Sequence, residues 1–168
     1  MSCEIIAEIS SNHGGDMSLA RDMIDAAASS GADYAKFQTW KVSRLKAGPW
    51  DHDGRREIYE KAELSEDDHS MLKEHCDKKN IKFLTSCFSI KDLEFISGFM
   101  DCVKIPGTEC RNKDLVWSAL DLFEKVFVSI GASEYNEYLY YTMQEKIYLM
   151  HCVSMYPCPN ENINMRRM

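Results

Sequence analysis

Polar and ionisable side chains lie within or just after several short apolar segments of this sequence. The carboxylate Glu8, the lysines Lys36 and Lys104, and the hydroxyl groups of Ser86 and Ser129 all occupy such positions. Lysines that converge from separate strands can bind a phosphate or a carboxylate. Hydroxyl groups and backbone amides at strand ends suit phosphate oxygens. These residue types therefore predict a site for a small anionic molecule.

Each of these residues also has a second interpretation. Glu8 lies inside an apolar strand, where we expect burial, and it can form a structural ion pair with Lys36 or Lys104. Either lysine can instead be a Schiff-base nucleophile or extend its ammonium group toward solvent. Glu109 can accept hydrogen bonds from sugar hydroxyls or stabilise a helix N-terminus. The residues alone leave these alternatives open.

Two histidines and one tyrosine are weaker candidates. His13 precedes a pair of glycines and is either a ligand or acid/base group, or a residue whose hydrogen bond shapes the turn. His151 lies in the last apolar run, where a core histidine with satisfied ring nitrogens is expected. Tyr156 is a polar-tipped aromatic residue that we place at the rim of the site.

Six short apolar runs, separated by longer segments, must position these side chains. Strands that are joined by crossovers of a dozen or more residues run parallel, and such alternation predicts an α/β fold. The runs span residues 4–10, 34–39, 82–88, 102–107, 126–131 and 147–154.

Polar residues end all six runs, which favours a TIM-type β/α barrel over a doubly wound sheet. The glycine-rich dinucleotide-binding turn of the latter fold does not follow the first run. A complete barrel needs eight strands, and about six of the eight βα units fit into the 168 residues. We therefore expect a single partial barrel domain over residues 1–168 that is open, completed by another chain, or truncated.

Capping signals locate the helices between the runs. Asp16 is a good N-cap and Gly31 a good helix stop, and Ser65 with Asp68 resembles a capping box that opens a helix to about residue 79. The glycine- and proline-containing segment 41–57 is expected to be a loop. Shorter helices are expected near residues 90–98, 112–123 and 133–142.

Composition excludes several classes of protein. The net charge of −7 and the pI of about 5.2 argue against a nucleic-acid partner. No apolar run approaches the roughly 18 residues of a membrane helix, and the first residues lack a basic signal-peptide region. We expect a cytoplasmic protein. Its seven cysteines form no CxxC pair and are expected to be reduced thiols.

Six segments follow one another along the chain: AEISSNHGG, AKFQTW, FLTSCF, VKIPGTE, VSIGA and LMHCVSMYP. Together and in this order they resemble the sialic acid synthase (N-acetylneuraminate synthase) family. The resemblance covers almost the whole chain, and six motifs in sequence are specific where one would be weak.

The resemblance implies an enzyme that condenses phosphoenolpyruvate with the open-chain aldehyde of an N-acyl amino sugar and releases phosphate. It implies catalytic roles for Glu8, Lys36 and Lys104, with the two lysines on the anionic groups of phosphoenolpyruvate. The substrate-binding residues that it implies are Gln38, Ser86, Thr108, Glu109, Ser129, Ser154 and Tyr156.

This sequence departs from the family pattern at several points. Gly107 replaces a serine, so one contact to phosphoenolpyruvate is lost unless Thr108 supplies the hydroxyl group, and Ile130 replaces a hydroxyl residue. The family implies a divalent metal, Mn or Mg, but the motifs that carry its two histidine ligands do not occur here. The family also has a C-terminal antifreeze-like domain, which we do not expect within these 168 residues. We assign no metal ligand.

Three functional hypotheses follow from these residues. The first is the synthase, acting on small-molecule substrates as a homo-oligomer. The second is an aldolase with Lys36 or Lys104 as a Schiff base. The third is a non-catalytic barrel domain that assembles with other chains, since six strands leave two sheet edges to be covered.

Overall fold

The computed structural model describes residues 3–132 and 141–167. Strands and helices alternate along the chain, and the six expected strands are all present. The fold class is α/β, as predicted. The chain divides into two compact units, Met1–Ser86 and Cys87–Met168.

In the first unit the strand order is β1, β2, β3. β1 and β2 are parallel, with Glu8 opposite Lys36. The elements are β1 (Ile6–Ser10), α1 (Met17–Ser29), β2 (Tyr34–Thr39), α2 (Arg55–Ala62), α3 (Glu66–Lys78) and β3 (Lys82–Cys87).

The helix ends of the first unit follow the capping signals. The side chain of Asp16 accepts hydrogen bonds from the backbone of Ser18 and Leu19, which opens α1. Gly31, at a φ of +81°, follows the last turn of α1. Ser65 and Asp68 form the expected reciprocal capping box at the start of α3.

The segment 41–57, predicted to be a loop, contains more structure than expected. It has two 3₁₀ turns, Val42–Arg44 and Pro49–Asp51, and α2 begins inside it at Arg55. The prediction missed the whole of α2 because this helix has no capping side chain and buries only Ala62. The ring of Tyr59 on α2 contacts Trp40 and Trp50, with ring centroids 5.5 and 5.6 Å apart. Tertiary contacts between aromatic rings therefore hold this helix.

In the second unit β4 and β5 pair in parallel, and so do β5 and β6. The helix that we expected at residues 133–142 falls largely outside the described residues. The elements are α4 (Ile90–Ile96), β4 (Cys102–Ile105), α5 (Lys113–Leu122), β5 (Lys125–Ser129) and β6 (Ile147–Met150).

Burial follows the pattern of parallel strands, which have apolar neighbours on both faces. All but one residue of β2 is buried, and so are the last five of β3.

All seven cysteines are free, as expected. Within the described ranges, no helix is both long enough and apolar enough to span a bilayer.

Candidate anion-binding site

Lys36 is the buried cation of the first unit. Its side chain is only 3% exposed, and its ammonium group forms an ion pair with the carboxylate of Glu8. The same nitrogen donates a hydrogen bond to the Ser86 hydroxyl at 3.2 Å. We considered Lys36 and Lys104 as ion-pair partners of Glu8, and in the structure Glu8 pairs with Lys36. Three strands bring one residue each to a single point.

The expectation that Glu8 is buried is wrong. Its side chain is 52% exposed, although it lies in an apolar strand. β1 is the first strand in the sheet order and, among the described residues, has β2 as its single neighbour. An edge strand covers its side chains less well than a central one. Glu8 is therefore a half-open carboxylate that reaches a buried ammonium group.

Gln38 lies on the same face of β2 as Lys36, because alternate residues of a strand point the same way. It is partly exposed, while its neighbours Phe37 and Thr39 are buried. An amide near a charged pair can contribute both a donor and an acceptor to a bound molecule. Gln38 is therefore a partly exposed amide two residues beyond Lys36 on the same face of β2.

His13 shapes the turn that follows β1. Its side chain is buried, and its Nδ1 accepts a hydrogen bond from the backbone N–H of Gly15 at 3.1 Å. Burial lowers the pKa of His13, and attraction to Asp68 partly opposes this shift. The structure thus supports the interpretation of His13 as a residue whose hydrogen bond holds the turn.

Gly15 brings this turn close to α2. Its φ is +87°, and a Cβ atom there would clash with the backbone carbonyl oxygen of Lys61. Only glycine permits both this backbone conformation and this approach. The turn after β1 and the end of α2 are therefore in direct backbone contact.

In the second unit, Lys104 lies on β4 and is partly buried, and Ser129 ends β5 and is buried. The Ser129 hydroxyl accepts a hydrogen bond from the Cys152 thiol at 3.5 Å. A Cβ atom on Gly107 would lie 3.9 Å from that of Ser129 and 4.0 Å from the Ser154 hydroxyl. The residues after β4, β5 and β6 thus lie close together in this unit.

Glu109 and Thr108 follow β4 in a 3₁₀ turn. Glu109 is buried and accepts a hydrogen bond from the side chain of Asn112 at 3.1 Å. Asn112 is the N-cap of α5, so Glu109 supports the start of that helix. Thr108 is exposed. The carboxylate has a structural partner, and the neighbouring hydroxyl is open to solvent.

His151, which follows β6, lacks the hydrogen bonds that we expected for its ring nitrogens in the described part of the chain. Both of its ring nitrogens are buried, and neither has a hydrogen-bond partner in the described part of the chain. The prediction of a satisfied core histidine is therefore wrong. Ser154 is exposed, and Tyr156 is 97% exposed. Because the regular strand ends at Met150, this segment lacks the ladder of hydrogen bonds that would order its side chains.

A metal centre would require a cluster of metal-ligating side chains among the described residues. Within residues 3–132 and 141–167, no group of three or more His, Cys, Asp or Glu side chains is placed to hold a metal ion. The divalent metal that the resemblance implies therefore does not fit the residues described here.

Sequence reasoning missed one set of buried polar residues in the first unit. Thr39, His69 and Thr85 are joined by side-chain hydrogen bonds, and all three are buried. A signal existed, because His69 shares a helical stripe with the buried residues Leu72 and Cys76. A polar residue in an apolar stripe requires a partner.

The elements and strand ends described above define the class of fold, a partial TIM-type β/α barrel, as predicted. A solved structure of an N-acetylneuraminic acid (sialic acid) synthetase from Leptospira borgpetersenii, in complex with citrate, superposes with a TM-score of 0.83. It is 30% identical, and the match covers 95% of this chain and 57% of that one.

The NeuB family model matches residues 23–168, and the chain belongs to the NeuB family. An N,N'-diacetyllegionaminic acid synthase from Legionella pneumophila is 30% identical over all of this chain and 53% of its own length. A pseudaminic acid synthase from Helicobacter pylori is also 30% identical, over 98% of this chain and 54% of its own. The chain thus spans about half the length of the curated relatives that it matches.

Proposed function

We propose that this chain carries the phosphoenolpyruvate-binding part of a nonulosonic acid synthase. The co-substrate is the open-chain aldehyde of an N-acyl amino sugar such as N-acetylmannosamine. Membership of the NeuB family supports this proposal, since named relatives are synthases of legionaminic and pseudaminic acid. The observation that carries it is the buried Lys36 ammonium group, which a carboxylate on β1 and a hydroxyl group on β3 hold from the two neighbouring strands.

The proposed reaction forms one carbon–carbon bond. The methylene carbon of phosphoenolpyruvate attacks the aldehyde carbon, whose oxygen takes up a proton. Water then adds to the enol carbon, and phosphate leaves from that same carbon. The product is a nine-carbon 2-keto sugar acid, and the atoms of the two substrates and of water are all accounted for.

Lys36 and Ser86 would hold an anionic group of phosphoenolpyruvate. A charge-assisted hydrogen bond from a buried ammonium group is stronger than a neutral one, because little water competes for it. Glu8 already occupies the ammonium group, so an incoming anion must displace or share it. A displaced Glu8 carboxylate would then be available to position water or a sugar hydroxyl group.

The remaining residues have roles by the resemblance alone. Lys104 and Ser129 would act on phosphoenolpyruvate, and Thr108 would supply the hydroxyl group that Gly107 lacks. The residues proposed to face the amino sugar or to position water are Gln38, Glu109, Ser154 and Tyr156. We derive no step through a metal ion, and we propose that the protein acts in the cytoplasm as a homo-oligomer.

One feature distinguishes this proposal from a Schiff-base aldolase. The nitrogen of Lys36 is engaged by Glu8 and Ser86, which suits electrostatic binding of an anion. A Schiff base requires that nitrogen to be free to attack a carbonyl carbon. If borohydride traps a covalent adduct with pyruvate, the aldolase is supported and the present proposal is contradicted.

The test is binding of phosphoenolpyruvate to this chain, measured by isothermal titration calorimetry. We expect Lys36→Met to weaken binding by on the order of 10- to 100-fold, because a hydrogen bond to a charged group is lost. Lys82→Met is the matched control, since Lys82 lies at the opposite end of β3 and its side chain is 65% exposed. Equal affinity of the Lys36 variant and the wild type would overturn the proposal.

A second measurement tests the reaction itself. With phosphoenolpyruvate and N-acetylmannosamine together, phosphate release should exceed release with phosphoenolpyruvate alone. Sugar-dependent release that is lost in the Lys36 variant and kept in the Lys82 variant supports the proposed chemistry. Sugar-dependent release that persists in the Lys36 variant contradicts the role proposed for this lysine.

A further inference from the structure

Two side-chain hydrogen bonds connect β2 and β3 on opposite faces of this strand pair. On one face, Lys36 donates to Ser86 at 3.2 Å. On the other face, the hydroxyl groups of Thr39 and Thr85 are 2.7 Å apart. Because Thr85 directly precedes Ser86, the second bond lies immediately behind the first. The two threonines therefore make a second side-chain contact between the strands that carry Lys36 and Ser86.

His69 on α3 extends this contact into a chain of hydrogen bonds. Its Nε2 lies 2.7 Å from the Thr39 hydroxyl, and its Nδ1 lies 2.7 Å from the backbone carbonyl oxygen of Ser65. His69 is 1% exposed, and the side chains of Thr39 and Thr85 are also buried. A buried polar chain of this kind stabilises one arrangement when all of its members are paired.

The direction of each hydrogen bond follows from the carbonyl group at one end. A carbonyl oxygen only accepts, so the proton of His69 must be on Nδ1. Burial disfavours a charged ring, and in the neutral ring Nε2 is an acceptor. Thr39 then donates to Nε2, and its oxygen is left to accept the hydroxyl proton of Thr85. The donors run in one direction, from Thr85 through Thr39 to His69.

We propose that His69, acting through Thr39 and Thr85, is a positioning residue for the Lys36–Ser86 pair. It fixes the hydroxyl groups behind the pair and ties α3 to both strands, so that Ser86 stays within reach of the Lys36 ammonium group. The functional consequence rests on the proposed binding of phosphoenolpyruvate. The geometric consequence is a change at Lys36 when the chain of hydrogen bonds is cut. This consequence does not depend on phosphoenolpyruvate binding.

The first test measures the tautomer of His69 in the wild-type protein by nitrogen-15 NMR of the imidazole ring. We expect a neutral ring with the proton on Nδ1, which is the less common tautomer of histidine in water. A ring that carries its proton on Nε2, or on both nitrogens, would overturn the proposal. This measurement needs neither a variant nor a bound substrate.

The second test cuts the chain at its far end with Thr85→Val, which keeps the shape of the side chain and removes the donor. We expect affinity for phosphoenolpyruvate to fall roughly 3- to 10-fold, as for the loss of one hydrogen bond. Thr85→Ser, which restores a hydroxyl group, should recover the wild-type affinity. Ser70→Ala on the exposed face of α3 is the control, since the Ser70 hydroxyl donates to the backbone carbonyl oxygen of Glu66 in its own helix.

A ligand-free readout separates this inference from the proposed function. The ammonium signal of Lys36, observed by proton–nitrogen NMR, should shift in Thr85→Val and stay unchanged in Ser70→Ala. If the wild type fails to bind phosphoenolpyruvate while the Lys36 signal shifts, the proposed function fails and the positioning role stands. An unchanged Lys36 signal in folded Thr85→Val overturns the positioning role. If that variant does not fold, the tautomer of wild-type His69 decides.

Discussion

The polar residues of the first unit are held by one another, whereas those of the second unit range from buried to fully exposed. Glu8, Lys36 and Ser86 meet through an ion pair and a hydrogen bond. In the second unit Ser129 is buried at the end of β5, but Tyr156 is 97% exposed. Side chains are ordered where strands pair and a helix packs behind them. Beyond the end of β6, the chain leaves the ladder, and its side chains lose those constraints.

The largest effect that would test this contrast is on stability, at Gly15. Gly15→Ala should lower the free energy of unfolding by about 2 to 5 kcal/mol, because it adds a strained left-handed residue and a backbone clash. The clash is between the new Cβ atom and the carbonyl oxygen of Lys61. Urea unfolding followed by circular dichroism measures the change.

Two other glycines serve as controls for Gly15. Gly14 has a φ of +56°, and no atom lies within 4 Å of the position that a Cβ would take, so Gly14→Ala should cost only about 1 to 2 kcal/mol. Gly131→Ala in the second unit would place the new Cβ 2.8 Å from the Cys152 carbonyl oxygen. We expect this substitution to lower the free energy of unfolding by about 1 to 3 kcal/mol. If Gly14→Ala costs as much as Gly15→Ala, the close approach of α2 is unimportant.

The next largest effect compares two buried histidines, one from each unit. His69→Leu should destabilise the protein by about 1 to 3 kcal/mol, since it removes the two hydrogen bonds of the imidazole ring, to the Thr39 hydroxyl and to the Ser65 carbonyl. His151→Leu should be neutral or stabilising by up to about 1 kcal/mol, since it removes two unpaired buried nitrogens. Urea midpoints above pH 7 measure both. A destabilising His151→Leu would show that this ring has a partner or a packing role.

A smaller effect concerns the competition between Glu8 and a bound anion for Lys36. Glu8→Gln should raise the affinity for phosphoenolpyruvate by roughly 2- to 5-fold, since half-exposed ion pairs are worth little and their loss frees the ammonium group. Isothermal titration calorimetry gives the affinity, with Glu4→Gln, near the other end of β1, as control. Weaker binding by Glu8→Gln would show that the carboxylate orients Lys36 for the anion.

The smallest expected effect is the pH dependence that His13 contributes. Burial lowers the pKa of His13 below its usual value of 6.5, so the unfolded chain takes up a proton at a higher pH than the folded one. Stability therefore falls as the pH drops through 6.5 and rises again with pH. Above that pH neither state is protonated, and the contribution vanishes.

The measurement for His13 is the difference in unfolding free energy between pH 7.5 and pH 5.5. The wild type should lose more stability over this interval than His13→Gln. Asp68→Asn should steepen the loss, because the attraction of Asp68 partly offsets the effect of burial. Equal losses in wild type and His13→Gln would contradict the assignment.

The strands were well predicted because each is a short apolar run, and runs of this kind occur where parallel strands are covered on both faces. Observed β2 spans the same residues as the predicted run, and the other five differ by a few residues at their ends. The Ser65–Asp68 capping box also follows from local spacing alone. The whole of α2 was missed because its support comes from aromatic rings outside the helix.

In the candidate site too, some features followed from local sequence and others depended on tertiary contacts. Residue type and position at a strand end identified Lys36 and Ser86, and the chemistry of an ammonium group and a hydroxyl group suggested an anion. Neither the exposure of Glu8 nor the unpaired nitrogens of His151 followed from type or position. Both depend on what lies beside a strand, which local sequence does not encode.

From its residues alone, the chain specifies alternating strands and helices, the helix caps, and a set of polar groups at strand ends, because these depend on neighbours within a few positions. The tertiary structure selects which of those groups meet. Lys36 reaches Ser86, 50 residues away, and Thr39 reaches His69, 30 residues away. Such contacts require the register of the strands and the packing of α3, and these arise only when distant apolar surfaces are buried together.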